Sequence, residues 1–60
     1  SMPVAVGERG RTVSRLAPVG RVEFAGRMYE AKSQAGYIDS GVEVEAVDFD
    51  DFSIIVKPVK

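Results

Sequence analysis

The sequence predicts an all-β fold, a small barrel of five short strands with no substantial helix. Three observations carry this. Apolar and polar residues alternate in Arg21–Phe24 and again through Met28–Lys32, the period of two expected of half-buried strands. The apolar set is rich in Val, Ile, Phe and Tyr, which favour strands. Six glycines and three prolines fall at intervals of roughly ten residues, the punctuation of a short-stranded fold. No stretch carries the i, i+3, i+4, i+7 apolar pattern of an amphipathic helix.

Ser1-Met2 reads as a tag remnant, and Pro3–Gly7 as an apolar lead-in lying against the barrel or fraying. Gly7 and Gly10 bracket a turn that carries Glu8 and Arg9. The first strand is expected over Arg11–Leu16. Thr12, Ser14 and Leu16 point inward there, and Arg11, Val13 and Arg15 outward. Ala17-Pro18 ends its ladder, because proline has no N–H and a fixed φ, and Pro18 and Gly20 form a corner.

The next segment is a tight hairpin reversed at Ala25-Gly26. A two-residue loop sets Phe24 opposite Arg27 and Val22 opposite Tyr29, with Val22, Phe24, Tyr29 and Ala31 on the inner face. A three-residue loop with Gly26 in the left-handed region would instead set Met28 opposite Val22. The first register is preferred because Tyr29 suits a barrel wall, its hydroxyl reaching the rim. Ser33–Gly41 has loop composition, with Ile38 expected to plug one end of the barrel and Gly41 to take a turn conformation. The fourth strand spans Val42–Phe49, with Val42, Val44 and Ala46 on one face. Phe49 breaks the alternation, which predicts a bulge or twist near the strand end. Asp50-Asp51 is the last turn. The fifth strand covers Phe52–Lys57, with Ile54 and Val56 inward, and Pro58 closes it.

Sixty residues make one domain, which buries only about 60% of its unfolded surface. With no cysteine, neither a disulfide nor a thiolate metal site assists it. The net charge of −1 is unevenly spread. Residues 1–32 hold six basic and three acidic side chains, whereas residues 33–60 hold two and six. Two readings follow: an electrically two-sided barrel, or, the preferred one, solvated strand faces that merely took different signs. No apolar run approaches the roughly 20 residues that cross a bilayer, and no signal peptide is evident.

Taken in order, the signals are Gly7-x-x-Gly10, Ser14-x-Leu16-x-Pro18-x-Gly20, Val22-x-Phe24-x-Gly26, Tyr29-x-Ala31-x-Ser33, Ile38-x-x-Gly41-x-x-Val44 and Ile54-x-Val56. This ordered set, running from Gly7 to Pro58, resembles the C-terminal soluble domain of NfeD-like membrane proteins. The main departure is Asp51, where the family often has glycine. Asp tolerates turn conformations, so the departure touches the turn type and not the fold. The resemblance implies a five-stranded OB-like barrel without a helix between the third and fourth strands. It divides the chain into residues 1–6, tag remnant and lead-in, and residues 7–60, the OB-fold domain. It also implies a soluble domain of a membrane-anchored protein, on the cytoplasmic face of the prokaryotic cell membrane, attached through upstream spans. The implied partner is a stomatin- or flotillin-like membrane scaffold protein, or the parent's own membrane region. Any serine protease activity of long members would lie in a separate region, so this domain is expected to be a non-catalytic interaction and assembly module. The matched positions carry over as turns and core rather than as chemistry.

The residues agree with a non-enzymatic reading. Histidine is absent, which removes the usual general base and the commonest transition-metal ligand. Ser33 has Lys32 beside it, but adjacent strand residues point to opposite faces. Asp48, Asp50 and Asp51 make an acidic tip whose spacing lacks the further ligands and the glycine of a calcium loop, so a solvated turn is the preferred reading. No catalytic, cofactor or metal site is expected. Arg11, Arg15, Arg21, Arg27 and Lys32 could give a positive face, and a free-standing OB module binding single-stranded nucleic acid is the alternative function. Phe24 and Tyr29 are needed inside, however, and the acidic net charge disfavours it. The better clue is the outward apolar set. Val13, Met28, Val47 and Ile55 fall outside by alternation, and Tyr37 lies in a loop. With Arg15 these are the candidate partner-contact residues, provided that they cluster beside the arginines.

Overall fold

The computed structural model describes residues 3–60, so the expectation for Ser1-Met2 lies outside the described residues. Five strands close into a barrel: β1 (Arg9–Thr12), β2 (Val19–Phe24), β3 (Arg27–Ser33), β4 (Glu43–Phe49) and β5 (Ile54–Pro58). Their order around the barrel is β1-β2-β3-β5-β4, with β4 returning to β1. All neighbours are antiparallel except β3 and β5, which run parallel. No helix occurs among the described residues. The predicted fold class is the one observed.

The β2–β3 hairpin has the two-residue loop, with Phe24 opposite Arg27 and Val22 opposite Tyr29. Ala25 and Gly26 both adopt positive φ, 52° and 81°. That pair of conformations matches the right-handed twist of the flanking strands, and Gly26 takes it without strain. Val22, Phe24 and Ala31 are buried, and Tyr29 is half-buried with its ring edge-to-face on Phe24 at 6.0 Å.

The bulge falls where Phe49 breaks the period. Ala46 pairs with Val56 and Asp48 with Ile55, which leaves Val47 as the extra residue. One extra residue reverses the parity, so Ala46 and Phe49 both face the core although three positions separate them. Ile38 caps one end as expected. Its amide and carbonyl exchange hydrogen bonds of 3.1 and 2.8 Å with those of Leu16, and both side chains are buried. Gly41 turns the chain with φ 82°.

Three expectations are corrected. The first strand is Arg9–Thr12, not Arg11–Leu16. Beyond Val13, whose amide donates to the Arg21 carbonyl, Ser14 Oγ substitutes for the ladder by accepting from the Arg21 amide at 3.0 Å. The chain then breaks away, and Leu16 joins Ile38 instead. The turn before β1 lies at Ala5–Glu8, where the Glu8 amide donates to the Ala5 carbonyl, and Gly10 is a strand residue. The fifth strand starts at Ile54, not Phe52, because the Asp50 carboxylate holds the amides of Phe52 and Ser53 in the turn. Of the two alternatives left open for the lead-in, packing against the barrel is the one observed: Val4 is fully buried in the core, and the Gly7 amide donates to the Ala46 carbonyl.

Candidate functional site

The outer wall of the barrel is written by the register. Residues directly opposite on adjacent strands share a face, so each outward cross-strand pair can be read off. Arg9 faces Glu45, Arg11 faces both Glu43 and Glu23, Arg21 faces Glu30, and Lys57 faces Glu45. Basic β1 lies directly beside acidic β4. The uneven charge along the chain is therefore interleaved at this seam instead of dividing the barrel into two electrical sides. A depression of about 310 Å³ over β1 is lined by Arg9, Gly10, Arg11, Glu23, Ala25 and Glu43. Its two arginines are matched by two glutamates, a poor surface for phosphate.

One row departs from this charge lacing. Val19 faces Lys32, Lys32 faces Ile55, and the bulge puts Val47 and Asp48 together opposite Ile55. The row Val19–Lys32–Ile55–Val47 crosses four strands. Val19 is exposed, Ile55 and Val47 are half-buried, and neither of the latter joins the core cluster. Lys32 turns its ammonium aside to Asp50 at 3.1 Å.

The six sequence-selected residues therefore fall into three groups. Val47 and Ile55 are neighbours in the apolar row. Arg15 and Tyr37 meet at the end closed by Leu16 and Ile38, the guanidinium lying 4.5 Å from the centroid of the exposed phenol ring. Val13 lies two residues before Arg15, with its amide donating to the Arg21 carbonyl of β2. Met28, half exposed, stands apart opposite Glu23. Sequence reasoning missed Val19 and Phe52. Extending the hairpin register from Val22–Tyr29 would have placed Val19 against Lys32. Phe52 is the most exposed large apolar residue at 85%, and its position just after Asp50-Asp51 was the available signal.

The remaining candidates are engaged by local partners. Ser33 points inward and exchanges hydrogen bonds with the backbone of Ala35, while Lys32 points outward, so the two do not meet. Among the described residues, no three metal-ligating side chains converge. In the acidic tip both Asp50 oxygens are occupied. Oδ1 accepts from the Phe52 and Ser53 amides at 2.9 and 2.7 Å, and Oδ2 faces Lys32. These contacts, the Phe52 amide first, then the Lys32 side chain and the Ser53 amide, hold the Asp50 carboxyl below the usual aspartate range. A depressed folded-state value contributes stability above the unfolded value and loses it as pH falls through the folded one. Acid unfolding followed by circular dichroism is expected to show a weaker pH dependence in Asp50→Asn than in the parent. Parallel acid limbs would remove Asp50 from the account.

The comparisons agree with this architecture. The solved C-terminal domain of stomatin operon partner protein 1510-C from Pyrococcus horikoshii superposes with a TM-score of 0.86 at 32% sequence identity, covering 92% of this chain and 88% of that one. Among curated proteins nothing matches. The family described as NfeD-like C-terminal, partner-binding domain matches residues 4–58, from buried Val4 to the end of β5. The chain belongs to that family of NfeD-like C-terminal, partner-binding domains.

Proposed function

We propose that this barrel is the non-catalytic partner-binding and assembly module of a membrane-anchored NfeD-like protein. Its partner is a stomatin- or flotillin-type membrane scaffold, or the parent's own membrane region. The observation that carries the reading is the family match over residues 4–58, whose description is partner binding. The similar archaeal domain belongs to a stomatin operon partner protein, which supports the class of partner. In this reading the domain stands on the cytoplasmic face of the membrane.

The wall supplies a physical means. The barrel closes through five paired strands and leaves only short lengths of edge, such as Arg27–Glu30 of β3, so contact is assigned to side chains. The Val19–Lys32–Ile55–Val47 row is an apolar interruption that crosses four strands of a wall laced by opposed charges. Interfaces use such a centre, with charges at the rim setting orientation. Val47 and Ile55 are assigned the main contact, the Val13, Arg15 and Tyr37 group a second zone, and Met28 a flank.

Capture of a purified stomatin-type scaffold by the immobilised domain tests this. Val47→Asp or Ile55→Asp is expected to weaken capture at least about tenfold, the cost of burying an unpaired charge at an interface centre. Val13→Asp combined with Met28→Asp is expected to cost less. The thermal melts should show each variant folded. Capture equal to the parent in every variant would refute the assigned surface, and no capture by the parent would refute the partner class.

A further inference from the structure

At the end of the barrel holding the β4–β5 turn, a cavity of about 200 Å³ is lined by Pro3, Tyr29, Glu30, Asp50, Asp51, Phe52, Ser53 and Ile54. We propose that it receives an arginine or lysine side chain of the partner polypeptide, held between the rings of Phe52 and Tyr29 and met by Glu30 and Asp51. This rests on the partner-binding reading and deepens it by naming the chemistry that the partner presents.

Four observations converge. The walls are apolar, with Pro3, Tyr29, Phe52 and Ile54 offering a lining for the methylene stem of a long basic side chain. Two of them are aromatic, and ring faces attract cations. The rim carries three carboxylates. Among the described residues the only ion pair within 4 Å is Lys32 with Asp50, so Glu30 and Asp51 keep their charge uncompensated at contact distance. Arg21 lies opposite Glu30 on β2 without closing such a pair. Finally, Phe52 leaves 85% of its surface in solvent beside the cavity, more than any other large apolar residue.

These features select among occupants. A phosphate or nucleic-acid ligand is repelled by the carboxylates. A bound metal ion is disfavoured because both Asp50 oxygens are already engaged, leaving only Glu30 and Asp51 on the rim. A small free amine would satisfy the charge but leave the Phe52 ring uncovered, whereas apolar residues flanking a basic side chain in a polypeptide cover it. The site is also continuous with the proposed contact row. Glu30 precedes Lys32 by one outward position on β3, and the Lys32 ammonium reaches Asp50 of the cavity rim at 3.1 Å.

The test uses the whole chain and a fluorescein-labelled 11-residue peptide of alternating leucine and arginine, against the same peptide with serine or glutamate in place of arginine. Fluorescence anisotropy is expected to show binding of the arginine peptide alone, weakened by added salt. Phe52→Ala, and separately Glu30→Gln combined with Asp51→Asn, are each expected to weaken it at least fivefold. All three positions are exposed, so the fold should survive, and a thermal melt checks it. Amide shifts should concentrate at Tyr29, Glu30 and Asp51–Ile54. Equal binding of arginine and serine peptides, no binding, or variants that bind like the parent would overturn the proposal. The scaffold capture assay separates the two readings. Capture lost in Ile55→Asp but intact in Phe52→Ala leaves the partner-binding reading standing and removes this pocket. Failure of the parent to capture the scaffold removes the named partner class, while the peptide titration still decides the pocket.

Discussion

Replacing Phe24 with alanine is expected to unfold the barrel, or to leave it only marginally folded, at room temperature. Phe24 heads the largest fully buried side chains and is 1% exposed. Its ring meets Tyr29 edge-to-face and closes over the backbone of Gly10. Deleting such a ring costs about 3–5 kcal/mol, in transfer energy and in the cavity left behind. A domain of this size has a total stability of roughly 3–9 kcal/mol, so the loss consumes most of it. No disulfide is available to restrain the unfolded chain. Urea titration followed by circular dichroism should show no folded baseline, or a midpoint near zero denaturant. Because Tyr29 would lose its support, the variant should also fail to bind the arginine peptide. A loss below about 1 kcal/mol would mean that the core is not centred on this ring.

The second large effect is expected from the smallest change, Gly10→Ala. Gly10 lies within β1, and its φ is not in the left-handed region. The constraint is space. A Cβ there would collide with the carbonyl oxygen of Glu23 and lie 2.8 and 2.9 Å from Cδ1 and Cε1 of Phe24. The ring could rotate away at a cost, but the carbonyl belongs to the backbone of the adjoining strand β2 and cannot. Overpacking of this kind costs about 2–3 kcal/mol, which lowers the melting temperature by roughly 10–20 °C in so small a domain. In a Phe24→Leu background the ring contacts vanish and the carbonyl contact stays, so part of the penalty should persist. An unchanged melting temperature in Gly10→Ala would show that β1 and β2 are further apart than described.

The Gly10 result also explains one limit of sequence reading. Gly7-x-x-Gly10 looks like a bracketed turn, and Gly7 does take positive φ. Gly10 has the same composition signal for a different reason, the approach of a neighbouring strand, and nothing local distinguishes the two. The first strand was misplaced because Arg11–Leu16 alternates acceptably while the ladder actually stops once Ser14 Oγ replaces it. Asp50-Asp51 reads as a turn, but nothing local shows that the Asp50 carboxylate extends it through the amides of Phe52 and Ser53. Conversely, the hairpin register, the Ile38 plug and the bulge before Phe49 were legible, since each follows from the parity of side chains along a few consecutive residues.

The candidate surface was legible only in part. Alternation marked Val13, Met28, Val47 and Ile55 as outward, but an outward position is not yet a patch. Val47 and Ile55 became neighbours through the β4–β5 pairing, and Lys32 and Val19 joined them through β3 and β2. Met28 was left beside Glu23. Arg15 and Tyr37 met because the Leu16–Ile38 bridge draws two loops together.

By itself, then, the amino-acid order determined which side chains turn inward, where the β2–β3 hairpin reverses and that five extended segments must share one dry interior. Those properties depend on residues two to four positions apart, where backbone geometry dictates direction. Which strand lies beside which was decided only by closure of the barrel. It set basic β1 against acidic β4, laid β5 parallel to β3, and gathered Pro3, Tyr29, Glu30 and Phe52 around one cavity. The physical reason is that alternation assigns a face to each residue but says nothing of its lateral neighbour, and a binding surface is made of lateral neighbours.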